Sequence, residues 1–413
     1  MRGLLGLAAL LAIAWALSED RRRIPWRTVI AGVALQWLLA LLLILFPPAT
    51  TLILLLNDGA TALQNATQAG SSFVFGYLGG APLPFAETHP GASFILAFQA
   101  LPLVLTISAL ASLLFYWGVL QRLTAAFAWL LRSAMGIGGA LALGAAVHVF
   151  VGMIEAPLLV RPYLARMQRG ELFALMTCGM AGVAGTVMVI YASFLSPLVP
   201  NALGNILIAS VISTPAGLAV AALLVPFGPA EATEEHLVVT DPPLSALDAL
   251  VKGTVDGVPV LVGIVATLLV AVAFVALINA ALGTLPHWGD AAITLQHILS
   301  WPFRPVMWLI GLPWDEAGTA ATLMGTKTVL NEFVAYLNFS AMPPDSFSPR
   351  SRLIVTYALC GFANFGSLGI VIGGLGVMIP QRRHEVVGLG MRSILSGTLA
   401  TCMSGAVAGI VGG

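Results

Sequence analysis

Cys178-Gly179-Met180-Ala181-Gly182-Val183-Ala184-Gly185 and Cys360-Gly361-Phe362-Ala363-Asn364-Phe365-Gly366-Ser367 are two versions of one phrase. Each lies midway along an apolar run, 171–195 and 352–378. Each run follows a segment with a glutamate in an apolar setting, Glu155 and Glu332. Runs this apolar read as membrane-spanning helices. Arg166 and Arg169 place the start of the first run in the cytoplasm, and the run from 352 then enters from outside. The two units are therefore inverted relative to each other. Small residues recur in membrane helices for packing alone; the matched glutamates set this pair apart.

Composition agrees. Of 413 residues, 59% are apolar and 9% charged, too few charges for a soluble surface, so the lipid bilayer is the expected surroundings. Zero formal net charge gives no field for nucleic acid. Cys178, Cys360 and Cys402 sit in apolar stretches with neither disulfide nor metal-ligand spacing, and read as small buried residues.

Apolar runs near 3–18, 28–46, 92–118, 171–195, 201–227, 256–283, 352–378 and 387–411 read as about eight transmembrane helices. Residues 50–75 mix leucines with Asn57, Asp58, Gln64 and Gln68, as a helix lying in the interface does. Segments 121–165 and 291–340 are too long for one span and carry ionisable centres and glycine or proline breaks. They read as re-entrant hairpins, tolerated where buried in protein or lining water. The expected fold is an all-α polytopic membrane protein: about eight transmembrane helices, two re-entrant hairpins in an inverted repeat, and an interfacial helix. It divides at 1–120 (N-terminal scaffold helices), 121–227 (first repeat), 228–285 (acidic cytoplasmic linker with Glu231, Glu234, Glu235, Asp241 and Asp248, then a scaffold helix) and 286–413 (second repeat). An inverted repeat with broken helices is an architecture of secondary transporters, with substrate held where the repeats meet.

Met1 to Leu17 has the look of a signal peptide, but Arg21, Arg22 and Arg23 follow the apolar run and favour a retained first helix. With Arg21–Arg23, Arg166 with Arg169, and Arg382 with Arg383 all cytoplasmic, both termini fall in the periplasm of a bacterial inner membrane. Arg350 and Arg352 are the exception, falling outside.

An ionised carboxylate at mid-membrane costs roughly 3 kcal/mol or more unless paired or facing water, so Glu155 and Glu332 read as binding residues. The structural alternative is a pair with Arg161 or Lys327. Asn364 and Ser367 are three apart and share a helix face, with Gly366 between them as a point of unwinding. Two carboxylates with an amide and a hydroxyl suit a polyhydroxyl ligand; interhelical hydrogen bonding is the alternative. His148, seven residues before Glu155, reads as a proton carrier or as a neutral satisfied imidazole. Asp315 and Glu316 follow a glycine-proline break and read as a helix start. Neither a paired-histidine metal motif nor a nucleophile elbow is present, so an enzyme is not expected. No cofactor is expected.

Four stretches carry a family resemblance: Ala69-Gly70-Ser71-Ser72-Phe73-Val74-Phe75-Gly76, Glu155-Ala156-Pro157-Leu158-Leu159-Val160-Arg161-Pro162-Tyr163, Asn331-Glu332-Phe333-Val334-Ala335-Tyr336 and Cys360-Gly361-Phe362-Ala363-Asn364. In this order and spacing the chain resembles the concentrative nucleoside transporters from end to end. The resemblance implies a homotrimer, an elevator-like transport domain, and nucleoside import coupled to sodium or protons. It places Glu332, Asn364 and Ser367 on the ribose, and Met153, Ile154, Glu155, Val187 and Phe362 on the base. The family typically reads Gly-Gln-Thr-Glu at the first hairpin tip; here it is Gly152-Met153-Ile154-Glu155. Sodium-coupled members place Asn where His148 stands and Ser where Gly182 stands, beside carbonyls matching Val151 and Val183. With those side-chain oxygens missing, the sodium site is degenerate, and coupling through protons on His148 or Glu155 is expected ahead of sodium. A nucleobase or modified nucleoside as substrate, sodium-coupled nucleoside symport, and a passive channel are the competing readings.

Overall fold

The structure is a computed structural model that describes residues 2–87, 93–153, 155–228, 243–284 and 293–412. Ile154, the linker residues Glu231, Glu234, Glu235 and Asp241, and the first residues of the 92–118 and 291–340 segments lie outside the described residues. Among the described residues there are helices and no strands. In chain order they are α1 (Arg2–Ala16), α2 (Trp26–Leu45), α3 (Pro47–Phe75), α4 (Leu96–Gln99), α5 (Leu103–Tyr116), α6 (Val119–Met135), α7 (Gly139–Val147), α8 (Glu155–Leu159) and α9 (Arg161–Leu164). Then follow α10 (Arg169–Ala181), α11 (Gly185–Leu195), α12 (Ala202–Leu224), α13 (Ala246–Leu282), α14 (Leu295–Leu309), α15 (Trp314–Val329), α16 (Glu332–Ser340), α17 (Pro349–Leu359), α18 (Phe365–Met378) and α19 (Arg383–Val411).

Among the described residues, five helical segments are long and apolar enough to cross a membrane: Trp26–Leu45, Leu96–Tyr116, Ala202–Leu224, Ala246–Leu282 and Pro380–Val411. The difference from eight has physical causes. The first apolar run forms a helix of only 15 residues. The runs 171–195 and 352–378 are each two half-helices. After α10 the chain turns extended at Gly182 (ψ 178°) and Ala184 (ψ 143°). After α17 it does so at Cys360 (ψ 85°) and Asn364 (ψ 166°). The second opening therefore precedes Gly366, which lies inside α18. The 121–165 segment is also not one hairpin. Its first part is α6, a separate helix closed by Gly136 at φ +66°, a conformation that favours glycine.

Opening a helix away from water exposes backbone groups that need partners. Here the two openings lie against each other. Phe362 N donates to Gly182 O at 3.2 Å. Ser210 of α12 accepts from Val183 N at 3.3 Å, and its Oγ lies 3.6 Å from Cys360 Sγ. Glycines permit this approach. A Cβ at Gly361 would meet Thr401 Cγ2 at 2.7 Å and Met180 O at 2.8 Å. One at Gly397 of α19 would meet the Met180 carbonyl carbon at 2.9 Å.

Around this centre α1 and α2 pack on α12 and α19, where Gln36 donates to Ser404 Oγ at 3.1 Å. The helices α5 and α13 pack mainly on each other, with Gly253 so close to Ser108 that a Cβ would stand 2.6 Å from its carbonyl oxygen. Packing thus groups α1 and α2 with α12 and α19.

Gly3 lies against Ile410, so the two ends of the chain meet. At the opposite end Glu19 accepts from Arg169 at 3.0 Å and from Arg392, while Arg382 donates to Leu164 O and Met167 O and pairs with Glu385 at 2.8 Å. The three basic clusters thus share one end of the molecule. Arg350 lies at the other end, donating to Gly409 O at 2.8 Å. A helix C-terminus is a favourable place for a cation.

Adding a methyl at Gly361 is expected to lower stability by about 1–3 kcal/mol, the range for overpacking a tight interior. Gly388→Ala, where a Cβ meets nothing within 4 Å, is the control. Thermal unfolding in detergent should show Gly361→Ala melting lower and Gly388→Ala unchanged or slightly higher.

Candidate functional site

Two helix starts and a side chain from the middle of a third helix converge on one carboxylate. Leu330 ends α15, and Asn331 (φ −170°, ψ 173°) caps α16 by accepting from Val334 N at 3.0 Å. Glu332 is therefore the first residue of α16, buried and aimed at the opening between α17 and α18. Tyr191 OH on α11 donates to Glu332 Oε1 at 2.7 Å, and Asn364 Nδ2 donates to Oε2 at 2.9 Å. Asn364 is itself a cap: its Oδ1 accepts from Ser367 N at 2.7 Å. The pair is thus a cap and its third helical residue, not two positions on one helix face. The amide's two ends do separate jobs, oxygen to the helix start and nitrogen to the carboxylate.

Such charge-assisted bonds are the strong ones, and they fix the carboxylate in place. An ionised carboxylate has about four lone-pair directions. Two are used by protein, leaving others for ligand hydroxyls. Around Tyr191 the rings of Phe333 and Tyr336 pack at 5.9 and 5.1 Å between centroids.

Glu332, Asn364 and Ser367 line a cavity of about 810 Å³ together with Val151, Gly152, Met153, Glu155, Val187 and Phe362. The structure thus brings Glu155 and Glu332 to one space. Glu155, the first residue of α8, is exposed into it. Its carboxylate folds back over Gly152, so that a side chain there would have to displace it. Among the described residues neither Arg161 nor Lys327 pairs with either glutamate; Lys327 Nζ instead donates to Ala358 O at 2.9 Å. The remaining candidates sit behind the cavity wall. His148 caps the end of α7, buried, with Nε2 lacking a partner. Gly182 and Val183 form the first opening, and both are engaged by the bonds to Phe362 and Ser210. Asp315 and Glu316 stand in the first turn of α15, away from the cavity. Glu316 accepts from Ser348 N at 3.1 Å, steadying the start of α17.

Sequence reasoning missed the opposite wall. Ser108 and Ser112 of α5 and Lys252, Asp256 and Thr267 of α13 face the same space. Lys252 and Asp256, four residues apart in an apolar helix, were a readable signal. Tyr191 gave none: an aromatic residue in an apolar run is usually packing.

Three family profiles cover the chain: the Na+ dependent nucleoside transporter N-terminus over residues 5–78, nucleoside recognition over 97–198, and the Na+ dependent nucleoside transporter C-terminus over 205–409. An uncharacterized transporter of Haemophilus influenzae is 37% identical across 99% of this chain and 97% of its own. The putative nucleoside permease NupX of Escherichia coli is 34% identical across 99% and 98%. The chain belongs to the concentrative nucleoside transporter family. The solved structure of CNTnw in an inward-facing substrate-bound state superposes with a TM-score of 0.89, at 38% identity, covering 100% of this chain and 99% of that one. The protein is accordingly a nucleoside transporter and a membrane protein, not an enzyme.

Removing the Tyr191 hydroxyl leaves one carboxylate oxygen without its donor. Hydrogen bonds to charged groups contribute about 1.5–3 kcal/mol, so Tyr191→Phe should weaken nucleoside binding about tenfold or more. Calorimetric titration with uridine checks this; unchanged affinity would show that the hydroxyl does not set the carboxylate.

Proposed function

We propose that this nucleoside transporter is a proton-coupled importer in a bacterial inner membrane, both termini periplasmic, and that it works as a homotrimer. In this reading α7 to α9 and α14 to α16 are re-entrant hairpins of an inverted repeat. They move, elevator-like, with the broken helices against the α5 and α13 wall. Glu332, held by Tyr191 and Asn364 at 2.7 and 2.9 Å, is the observation that carries the nucleoside side. It presents a fixed acceptor to ribose hydroxyls, and Ser367 beside it adds a hydroxyl. The base then lies toward Met153, Val187, Phe362 and Glu155 on the same cavity; Ile154 joins this group by resemblance.

The coupling reading rests on the first opening. Sodium prefers oxygen ligands. Here the side chain nearest the end of α7 is an imidazole, and Gly182 offers no side-chain oxygen. The Gly182 carbonyl already accepts from Phe362 N. That donor set fits sodium poorly and suits a protonatable group, with His148 or Glu155 carrying the proton. An apolar Met153 in the cavity favours a second reading, altered base preference, extending to a nucleobase or modified nucleoside as substrate. Sodium-coupled nucleoside symport is the alternative on the coupling side.

Purified protein in liposomes should accumulate labelled uridine under an inward proton gradient and not under a sodium gradient at constant pH. His148→Gln should cut proton-driven accumulation about tenfold or more while uridine still binds, as loss of a proton carrier does. Sodium-driven accumulation at constant pH would overturn the coupling assignment. Competition of uridine uptake by a panel of nucleobases and modified nucleosides settles the substrate class.

A further inference from the structure

The 37 residues of α13 include three charged side chains, Asp248, Lys252 and Asp256. They are spaced four apart and so follow one face of the helix. The first two pair, with Lys252 Nζ 3.6 Å from Asp248 Oδ2. Asp256 is left over. It is exposed, and among the described residues its carboxylate has neither a hydrogen bond nor an ion pair. A different face of α13 is a stripe of exposed apolar residues, Val251, Val255, Val258, Val262 and Leu269. The face with the charges is turned instead to the cavity of about 810 Å³, which Lys252, Asp256 and, farther along, Thr267 all line.

Two hydroxyls stand beside the same turn. Ser108 and Ser112 of α5 line the cavity too, and glycines bring α5 against α13 at this level. A Cβ at Gly257 would stand 3.1 Å from Ser108 Oγ, and one at Gly253 would stand 2.6 Å from Ser112 Cβ. An ionisable residue on a membrane helix points to a function unless it is a structural pair. Asp256 is not one, because the lysine one turn away is engaged by Asp248. Nor is it a helix cap, since it lies well inside α13.

The charge of the cavity follows from its lining. Among the described residues the charged side chains there are Glu155, Asp256, Glu332 and Lys252, three carboxylates against one ammonium that is already paired. A concave space lined mainly by one sign of charge concentrates the field inside it. Glu332 is held by Tyr191 and Asn364, and Glu155 is folded over Gly152. Asp256 is the carboxylate with all of its acceptor capacity open.

We propose that Asp256 is a specificity-determining residue that sorts ligands by charge. It draws nucleosides that carry a cationic amine and turns away nucleosides that carry a phosphate. This rests on the reading of the cavity as the nucleoside site. Ser108 and Ser112 add neutral donors and acceptors beside it, so an uncharged ligand pays no penalty there. A phosphate entering the same space meets an unneutralised like charge, which is a repulsive element against that one class of ligand.

The test uses three ligands that share base and ribose and differ at the 5′ position: uridine, 5′-amino-5′-deoxyuridine and uridine 5′-monophosphate. Their affinities are measured by calorimetric titration at neutral pH on the full-length protein and on Asp256→Asn, an isosteric change at an exposed position. Wild type should bind the ammonium ligand about a hundredfold or more tighter than the phosphate ligand. Asp256→Asn should shrink that ratio about tenfold, the order of one charge pair in a partly wet site. Salt at about 0.5 M should shrink the wild-type ratio as well, because charges open to water are screened. Asp315→Asn, which removes a carboxylate away from the cavity, should leave the ratio unchanged. A packing role for Asp256 would move all three affinities together. Equal binding of the two charged ligands by wild type, or one ratio shared by wild type and Asp256→Asn, overturns the proposal while uridine binding keeps the nucleoside reading. Failure of wild type to bind uridine removes that reading and this role with it.

Discussion

The hydrogen bond from Phe362 N to Gly182 O, 3.2 Å long, answers the constraint that governs everything else here. A helix opened within a membrane protein exposes donors and acceptors that lipid cannot satisfy. Two openings placed back to back satisfy each other, and Ser210 fastens both from the side. Once that contact exists, the rest of the architecture follows. The half-helices must end where they do, small residues must line the crossing with α19, and the starts of α16 and α18 must face one space.

Those starts explain the polar chemistry. The first turn of a helix has unsatisfied N–H groups and a positive end, and both starts in the second repeat carry an asparagine cap, Asn331 and Asn364. Asn364 goes further and spends its amide nitrogen on Glu332. In the first repeat α11 begins at Ala184 with no side-chain cap. The two openings share a backbone plan and differ in polarity. That difference gives the starts of α16 and α18 a fixed polar frame that the start of α11 lacks.

Much of this was legible in the chain. The repeated cysteine-glycine phrases located both openings, and the two lone glutamates named residues that the structure brings to one cavity. The caps were legible too: Asn331 and Asn364, each just before a helical run, are ordinary start signals. A reading built on long apolar runs overrode them. Hydropathy averages over a window and does not see openings of three and five residues, so on hydropathy alone each broken helix reads as a single span. The opposite wall was hidden for another reason. That Asp256 of α13 and Glu155 of α8 line one cavity depends on how distant helices pack, and no periodicity within either segment encodes it.

The unequal polarity of the two openings has a consequence for specificity. Every nucleoside presents a sugar, and only the base varies. The Glu332 carboxylate, the sugar acceptor in the proposed reading, is held by bonds from Tyr191 and Asn364, so changing one partner disturbs the other. The side chains of Met153, Val187 and Phe362 are apolar and form no such network. Discrimination by apolar contact is weak, while a hydrogen-bonding group that loses its partner discriminates strongly. On the proposed assignment, a site built this way would bind the shared part of its ligands tightly and sort the variable part loosely. A single polar substitution at the Met153 position would be enough to sharpen that sorting, because the frame it acts against is already in place.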